Sequence, residues 1–301
     1  LNVTKSLKRN NTRYSLKKKS KIKQIKCNNF ENKLLGSKNK LDLLGEGTYG
    51  IAFLGCLDQL CNDSIGVKFL VLKNKYTLNN RHPGIVEVLI GKKLSNLCYK
   101  QITPHINIVY KGFLCNINKI KNTETLQKWY EEQVQKNFST DCYKEVMVIF
   151  NEKADMDFKN YVESRFNQNN QLTDIEHLIC LFQFCYTIAC AQYHIPGFRH
   201  NDIKPNNLLI TLNKNMDQNL YDVYKILGMT FYIPVLEFTI KLHDFDFCNS
   251  NQFPNQKIHN YENTIFKNIG ATPFNNPVYD LHEYINFYYR DLEYTFQNTE
   301  T

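Results

Sequence analysis

Three polar residues near the middle of the chain have the types and the spacing that phosphoryl transfer requires. Asp202, Lys204 and Asn207 lie within residues 198–210, where a short apolar run follows them. An aspartate can accept a proton from a hydroxyl group, and a lysine can contact a charged phosphate. The amide oxygen of an asparagine can bind Mg²⁺. The segment therefore predicts a centre for phosphoryl transfer that needs partners from elsewhere in the chain.

A glycine-rich stretch supplies the first of these partners. Gly45, Gly47 and Gly50 have the G-x-G-x-x-G spacing, which lets the backbone approach phosphate groups closely. A dinucleotide-binding turn shares this spacing but opens a helix, whereas β-type sequence continues here through Leu57. We therefore interpret the stretch as a loop between two strands that covers phosphates. Its candidate nucleotide-binding residues are Gly45, Glu46, Gly47, Thr48, Tyr49, Gly50 and Ala52.

A lysine inside a strand and a glutamate on the helix after it form a candidate ion pair. Lys68 lies in the β-type run 65–72 and can neutralise phosphate groups beneath the glycine loop. A buried lysine needs a carboxylate to hold it. Glu87, in the helical pattern after that strand, is the only acidic residue between Ser64 and Thr123, so it is the expected partner. A lysine on a surface strand and a solvated helix glutamate are the alternatives.

A second carboxylate follows a later strand. The β-type run that begins at Phe238 ends in Asp244, which comes 37 residues after Asn207. Oxygen ligands on two adjacent strands suit Mg²⁺. We therefore predict that Asn207 and Asp244 bind a metal ion together, with a simple turn aspartate as the alternative for Asp244.

The order of these motifs resembles that of the protein kinase family. The segment around Asp202 resembles the catalytic loop of that family, with Asn201 in place of an arginine, and residues 244–246 resemble its Asp-Phe-Gly motif. Lys204 followed by Pro205 is similar to the serine/threonine-specific members. The pairing of His-Asn-Asp with Asp-Phe-Asp is similar to the divergent protein kinases of large DNA viruses.

The resemblance implies an α+β fold of two lobes, a β-rich N-lobe and an α-rich C-lobe, with ATP and Mg²⁺ (or Mn²⁺) between them. We place the N-lobe and hinge at residues 37–152 and the C-lobe at residues 153–301. Asp280 lies in a strongly helical pattern and is the candidate anchor of the catalytic loop. Little sequence follows that helix, so the C-terminal part of the fold is expected to be shortened.

The implied activity is transfer of the γ-phosphoryl group of Mg-ATP to serine or threonine hydroxyls of proteins. In that interpretation Asp202 accepts the hydroxyl proton, while Lys204 steadies the γ-phosphoryl oxygens. Asn201 replaces an arginine that binds a phosphate on the activation segment, so activity without phosphorylation of residues 247–277 is expected. A small-molecule kinase of the aminoglycoside or choline type is one alternative. A pseudokinase that acts as a scaffold is the other.

Charge is unevenly distributed along the 301 residues. Residues 1–30 hold ten Lys or Arg and no acidic residue, and the remainder holds 27 basic against 29 acidic residues. The body is close to neutral, which does not favour nucleic-acid binding by it. We interpret residues 1–36 as a disordered basic tail. A tether to an acidic partner, nucleic acid or a membrane surface is the alternative function for this tail.

The cysteines and the longest apolar run indicate where in the cell the protein is expected. The ten cysteines are scattered through apolar segments without a Cys-x-x-Cys pair, so we expect reduced cysteines that pack as small apolar residues. The longest apolar run, 178–193, is too short to span a bilayer, and it is expected to be a core helix capped by Thr173 or Asp174. No transmembrane segment is predicted. The expected location is intracellular, in the cytoplasm or, for a viral protein, in the host cytoplasm or the virion.

The stretch between the two predicted metal ligands is longer than a tight turn. It covers residues 211–237, and its aromatic-rich part, 221–233, is predicted to form an additional hairpin. No functional interpretation is attached to it.

Overall fold

A five-stranded antiparallel sheet organises the first half of the chain. The structure is a computed structural model, and it describes residues 16–34, 41–47, 50–120, 124–136, 142–213, 220–260 and 265–292. Successive side chains of a strand point to opposite faces, so the apolar alternation along the central strands decides which residues share a face. In spatial order the strands are β1 (Asp42–Glu46), β2 (Gly50–Cys56), β3 (Ser64–Lys73), β5 (Cys142–Glu152) and β4 (Val109–Asn116).

The two faces of this sheet have different occupants. Phe53, Val67 and Phe69 point to one face, where they are buried in an apolar cluster. Lys68 has the opposite parity and therefore lies on the other face. Helix α3 (Pro83–Tyr99) packs on that second face. The alternation of β3 thus presents Lys68 to α3.

Part of the expected disordered tail is ordered. Residues 16–34 contain two helices, α1 (16–23) and α2 (Phe30–Leu34). Phe30 is fully buried against the apolar face of the large sheet. The average composition of this segment is basic, but its apolar residues recur at helical spacing and form one buried side. The expectation of disorder for residues 1–36 is therefore wrong for this segment, and the rest of that tail lies outside the described residues.

Replacing Phe30 with alanine is expected to lower the free energy of unfolding by about 3 to 5 kcal/mol, the usual cost of deleting a buried phenylalanine. Its ring centroid lies 6.1 Å from that of Phe69. Chemical denaturation measures the difference. Leu16→Ala is the control, because Leu16 is exposed on α1 and its loss should change stability by less than about 0.5 kcal/mol. An unchanged midpoint for Phe30→Ala would contradict the packing of this segment.

Four of the ten cysteines form disulfides. Cys27 pairs with Cys115, and Cys56 pairs with Cys61. The expectation of reduced cysteines is wrong for these four. The first pair is separated by 88 residues, and its members meet because α2 and the segment before it pack on the sheet, which spacing alone does not reveal. The buried Cys180, Cys190 and Cys248 remain reduced, as expected.

The second half of the chain places helices around a smaller sheet of three strands. Strands β7 and β10 pair antiparallel, with Leu208 opposite Leu242. Thr173 caps helix α6 through a capping box with Glu176, as the sequence predicts. The remaining elements are α4 (Glu124–Lys136), β6 (Met156–Asp157), α5 (Phe158–Asn167), α6 (Asp174–His194), β7 (Leu208–Leu212), β8 (Tyr221–Ile226), β9 (Met229–Pro234), β10 (Phe238–Leu242), α7 (Gln256–His259), α8 (Ile265–Asn268) and α9 (Tyr279–Leu292).

Helix α6 carries the longest apolar run. By length and composition alone it could cross a membrane, but 50% of its apolar window is buried inside the protein. Gln183 and Thr187 lie on this buried side, where the hydroxyl of Thr187 donates to the carbonyl of Gln183. Such burial is typical of the core helix that the sequence predicts.

The predicted hairpin is present as the antiparallel pair β8 and β9. Its Tyr224 is buried, and the phenol oxygen lies 2.7 Å from Nε2 of His105. Tyr186 of α6 donates to the carbonyl of Lys225. The hairpin thus connects α6 to the turn between α3 and β4.

The chain is therefore a mixed structure of helices and antiparallel sheets, compatible with the expected α+β class. Helices are most frequent after residue 152, and the larger sheet lies before it. The division into an N-lobe, a hinge and a C-lobe at this point stays a prediction.

Candidate active site

Lys68 is the centre of a largely buried cluster of three ionisable side chains. Its ammonium nitrogen lies 2.9 Å from Oε1 of Glu87 and 2.7 Å from Oδ1 of Asp244. Strand β3 directs Lys68 toward α3, which begins at Pro83 with His82 as its N-cap. Glu87 follows one turn into that helix. The structure thus brings together residues that are 176 positions apart in the chain.

Two carboxylates compete for this single ammonium group. Burial alone would lower the pKa of Lys68, but the charges of Asp244 and Glu87 outweigh it and raise the pKa. Burial raises the pKa of Glu87 to about 7, and the attraction of Lys68 offsets only part of this rise. For Asp244 the effect of burial is outweighed by Lys68, and the pKa lies below its usual range. Asp244 is therefore fully ionised at neutral pH, whereas Glu87 is only partly ionised.

The loop between α6 and β7 holds a second cluster. The side-chain amide of Asn207 donates to the backbone carbonyl and to Oδ2 of Asp202, both at 2.8 Å. The ammonium group of Lys204 donates to the same carboxylate oxygen at 2.8 Å. Two neighbours thus fix the direction of one carboxylate.

Backbone hydrogen bonds join the two clusters. The amide of His243 donates to the carbonyl of Asn207 at 3.0 Å, where the β7–β10 pair ends. Asp244 follows with a φ of 63°, a left-handed conformation that turns the chain out of the strand. Asn207 and Asp244 are therefore neighbours at one end of the smaller sheet.

The oxygen atoms at this end of the sheet suit a Mg²⁺ ion. Oδ1 of Asn207 and Oδ2 of Asp244 accept no hydrogen bond from the residues that the structure describes. Within those residues, no group of three or more His, Cys, Asp and Glu side chains converges to hold a metal by itself. Mg²⁺ commonly binds one or two protein oxygens together with phosphate and water. The pair therefore fits the metal expected from the sequence.

Helix α9 holds the second cluster in place. Asp280 accepts hydrogen bonds from the backbone amides of His200, at 2.9 Å, and Asn201, at 3.0 Å. One turn later, Glu283 accepts from the amide of Ile203 at 3.1 Å. The sequence predicted an anchoring position for Asp280 but not for Glu283. The signal that could have identified Glu283 is its spacing of three residues from Asp280, which places both on one side of α9.

Glu283→Gln is expected to become progressively more stable than the unaltered protein as the pH rises from about 5 to 8. Burial raises the pKa of Glu283 to about 8, although the Ile203 amide acts in the opposite direction. The folded protein therefore keeps a proton that the unfolded chain releases near its ordinary pKa of 4.5, and stability falls as pH rises through this window. The difference should grow by about 1 kcal/mol per pH unit and level off above pH 8.

Thermal unfolding of both proteins at several pH values measures this difference. Glutamine keeps an oxygen for the Ile203 amide and does not titrate in this range. Glu163→Gln on the exposed face of α5 is the control and should show no growing difference. Parallel stability profiles for Glu283→Gln and the unaltered protein would contradict the burial of a protonated Glu283.

Arg199 is a site residue that the sequence analysis missed. Its guanidinium group is buried and donates to the backbone carbonyls of Gly270, Thr272 and Phe274 at 3.0 to 3.1 Å. It also lies over the ring of Tyr279, 3.9 Å from the centroid. Arg199 therefore connects the loop between α6 and β7, which contains Asp202, to residues 270–274, which precede α9. Three carbonyl partners on a distant segment leave no local sequence signal.

The segment after Asp244 has further internal contacts. The side-chain amide of Asn201 donates to the carbonyl of Phe247 at 3.0 Å. Asp246 pairs with Lys257 in a buried salt bridge, and the side chain of Asn255 donates to the Asp246 carbonyl. Asn201, which has a φ of 63°, thus holds this segment by its amide.

A cavity of about 360 Å³ lies between the large sheet and β7. Gly45, Ala52 and Lys68 line it on the side of the large sheet, and Leu209 lines the opposite side. Asn151 of β5 also lines it. The cavity is large enough for part of a nucleotide, and Lys68 carries its positive charge to one end.

The described glycines of the glycine-rich stretch lie at the facing ends of two strands, with Gly45 in β1, Gly47 directly after it and Gly50 at the start of β2. The amide of Gly47 donates to the carbonyl of Gly50 at 2.8 Å. Glu46 is exposed at the end of β1. Thr48 and Tyr49, which the sequence also assigns to nucleotide binding, lie outside the described residues.

Comparison with known proteins indicates a kinase-like relationship. The chain is 26% identical to "Putative serine/threonine-protein kinase R400" of Acanthamoeba polyphaga mimivirus, over 82% of this chain and 55% of that protein. It is also 26% identical to "Putative serine/threonine-protein kinase R301" of the same virus, over 80% of this chain and 63% of that protein. The chain thus spans 55% and 63% of the lengths of these curated relatives. No family model matches the chain.

Proposed function

We propose that the protein is an ATP-dependent serine/threonine protein kinase. The observation that carries this proposal is the position of the Lys68 ammonium group. It lies between the carboxylates of Glu87 and Asp244, and it lines the same cavity as Gly45. A cation held in this way by two carboxylates can exchange part of its contacts for the oxygens of a triphosphate.

The proposed binding roles follow from the positions of the groups. Lys68 contacts the inner phosphates, while Glu87 keeps its ammonium group oriented. Asn207 and Asp244 would hold Mg²⁺ (or Mn²⁺), because each has a side-chain oxygen that accepts no hydrogen bond from the described residues. A bound Mg²⁺ neutralises charge on the outer phosphates during transfer.

The proposed chemistry is a direct transfer between two oxygens. The hydroxyl oxygen of a serine or threonine forms a bond to the γ-phosphorus, and the bond from that phosphorus to the β–γ bridging oxygen breaks. ADP leaves with the electron pair, and the hydroxyl proton passes to Asp202. Asn207 and Lys204 orient the accepting carboxylate, and Lys204 can move to the γ-phosphoryl oxygens as their charge spreads.

Activity without phosphorylation of residues 247–277 is part of the proposal. Asn201 has no cationic group to bind a phosphate, and its amide is already used by Phe247. Arg199 holds the same segment by three carbonyl groups instead. These neutral acceptors are available whether or not the segment carries a phosphate. Phosphatase-treated protein should therefore retain its transfer rate.

The test is an assay of the purified chain with γ-labelled ATP and Mg²⁺. Casein and a basic protein are the protein acceptors. A panel of aminoglycosides and choline tests the alternative that the acceptor is a small molecule. Label on serine or threonine of a protein supports the proposal. Label on small alcohols alone favours the alternative, and ATP binding without any transfer favours a pseudokinase.

A further inference from the structure

A buried asparagine at the edge of the cavity has a side chain that the proposed chemistry does not use. Asn151 lies near the end of β5, is 5% exposed and lines the cavity. Its carboxamide oxygen is buried and accepts no hydrogen bond from the described residues. A buried polar group without a partner costs about 1 to 3 kcal/mol. Such a group is expected where a ligand supplies the missing partner.

The register of the sheet places Asn151 on the side where the base of a nucleotide lies. Asn151 is paired with Gly66, and Ile149 is paired with Lys68. Paired residues share a face, so the Asn151 side chain points to the same face as that of Lys68. Gly66 precedes Lys68 by two residues, which is about 7 Å along the strand. If the phosphates of a nucleotide contact Lys68, as proposed, the base of that nucleotide lies on the side of Asn151.

Gly66 leaves the carboxamide of Asn151 uncovered. A methyl group at Gly66 would lie 3.8 Å from Cβ of Asn151, which is ordinary contact, so the fold does not require glycine at this position for space. The absence of a side chain opens the cavity above the amide. Rotation about the terminal torsion of an asparagine is soft, and it can turn either the oxygen or the nitrogen to a ligand.

The neighbouring polar side chains already have partners. Glu152 accepts a hydrogen bond from Lys241 at 2.7 Å. Asn107 also lines the cavity with a buried carboxamide oxygen, but its nitrogen is 3.1 Å from Nδ1 of His243. Asn151 is therefore the residue on β5 that can offer a complete carboxamide to a ligand.

We propose that the Asn151 carboxamide recognises the 6-amino group of a purine nucleotide, an inference that rests on the proposed function. A carboxamide has an acceptor beside a donor, and adenine has the complementary pair, a 6-amino donor beside a ring-nitrogen acceptor. The oxygen of Asn151 accepts from the amino group, and its nitrogen donates to the ring. Asn151 is thus a specificity residue for the nucleotide substrate.

The test compares ATP with purine riboside triphosphate, which carries hydrogen in place of the 6-amino group. Affinities are measured by titration of the full chain. Asn151→Ala should weaken ATP binding about tenfold or more, because two neutral hydrogen bonds to the base are lost. It should weaken binding of the analogue by a smaller factor, about threefold, because the analogue loses only the bond to its ring nitrogen. Asn96→Ala, at an exposed position of α3, is the control and should change neither affinity.

Asn151→Leu keeps the branching and the number of side-chain heavy atoms and removes the buried oxygen, and its larger methyl groups can extend into the cavity, so it should melt at or above the temperature of the unaltered protein. It should show the same selective loss of ATP affinity, which separates recognition from unfolding. Equal losses for both nucleotides, or no loss, would overturn the inference while leaving the proposed function intact. Failure of the unaltered protein to bind either nucleotide would overturn both.

Discussion

Replacing Asp202 with alanine is expected to slow phosphoryl transfer by about 10²- to 10⁴-fold, the usual contribution of a positioned general base. The carboxylate is oriented by hydrogen bonds from Lys204 and Asn207, and alanine has no group that accepts the proton of the attacking hydroxyl. Asp202 does not line the cavity, so the affinity for ATP should change by less than about threefold. Single-turnover transfer and a nucleotide titration measure the two quantities separately.

Two further variants make this result specific. Asp202→Asn keeps the shape of the side chain and a hydrogen-bonding oxygen but not the base, so it should be nearly as slow as the alanine variant. Asp42→Asn, on an exposed position of β1, should transfer at the unaltered rate. Full activity in Asp202→Asn would show that this carboxylate does not take up the proton.

Local patterns were enough to predict that Lys68 and Glu87 pair with each other, but not what surrounds them. Lys68 could be found because a polar residue inside an apolar strand has few structural explanations. Glu87 could be found because no other carboxylate was near it in the sequence. In both cases the decisive information lies within a few residues of the position. The structure then brings these positions to within 2.9 Å of each other.

Contacts between distant segments were the part that the sequence did not reveal. Arg199 binds backbone carbonyls, and any residue type provides those, so no side chain at positions 270–274 identifies the contact. The disulfide between Cys27 and Cys115 depends on the docking of a segment whose composition suggested disorder. The average charge of that segment concealed the periodic spacing of its apolar residues. An average of composition over a window does not record how the apolar residues are spaced. That spacing decides whether a basic segment can form a helix with one buried side.

Replacing Lys68 with methionine is expected to slow transfer by at least about 10²- to 10³-fold, the usual cost of removing one group that stabilises charge in the transition state. It should also weaken ATP binding, unlike Asp202→Ala. The structural effect is large as well, because Glu87 and Asp244 lose their common cation. Leaving one member of a buried pair without its partner costs about 3 to 5 kcal/mol, and the partial exposure of Asp244 reduces this cost. Nucleotide titration and thermal unfolding measure the two effects.

The double variant Lys68→Met and Glu87→Gln separates these effects. Removing the second charge should recover much of the stability that Lys68→Met loses, because no uncompensated carboxylate remains on α3. It should not recover transfer, because the cation for the phosphates is still missing. Lys18→Met is the matched control, since Lys18 is also buried and paired, with Asp63 on the opposite side of the large sheet. That control should lose stability and keep its transfer rate. If the double variant regained transfer together with stability, Lys68 would act only by holding α3 in place.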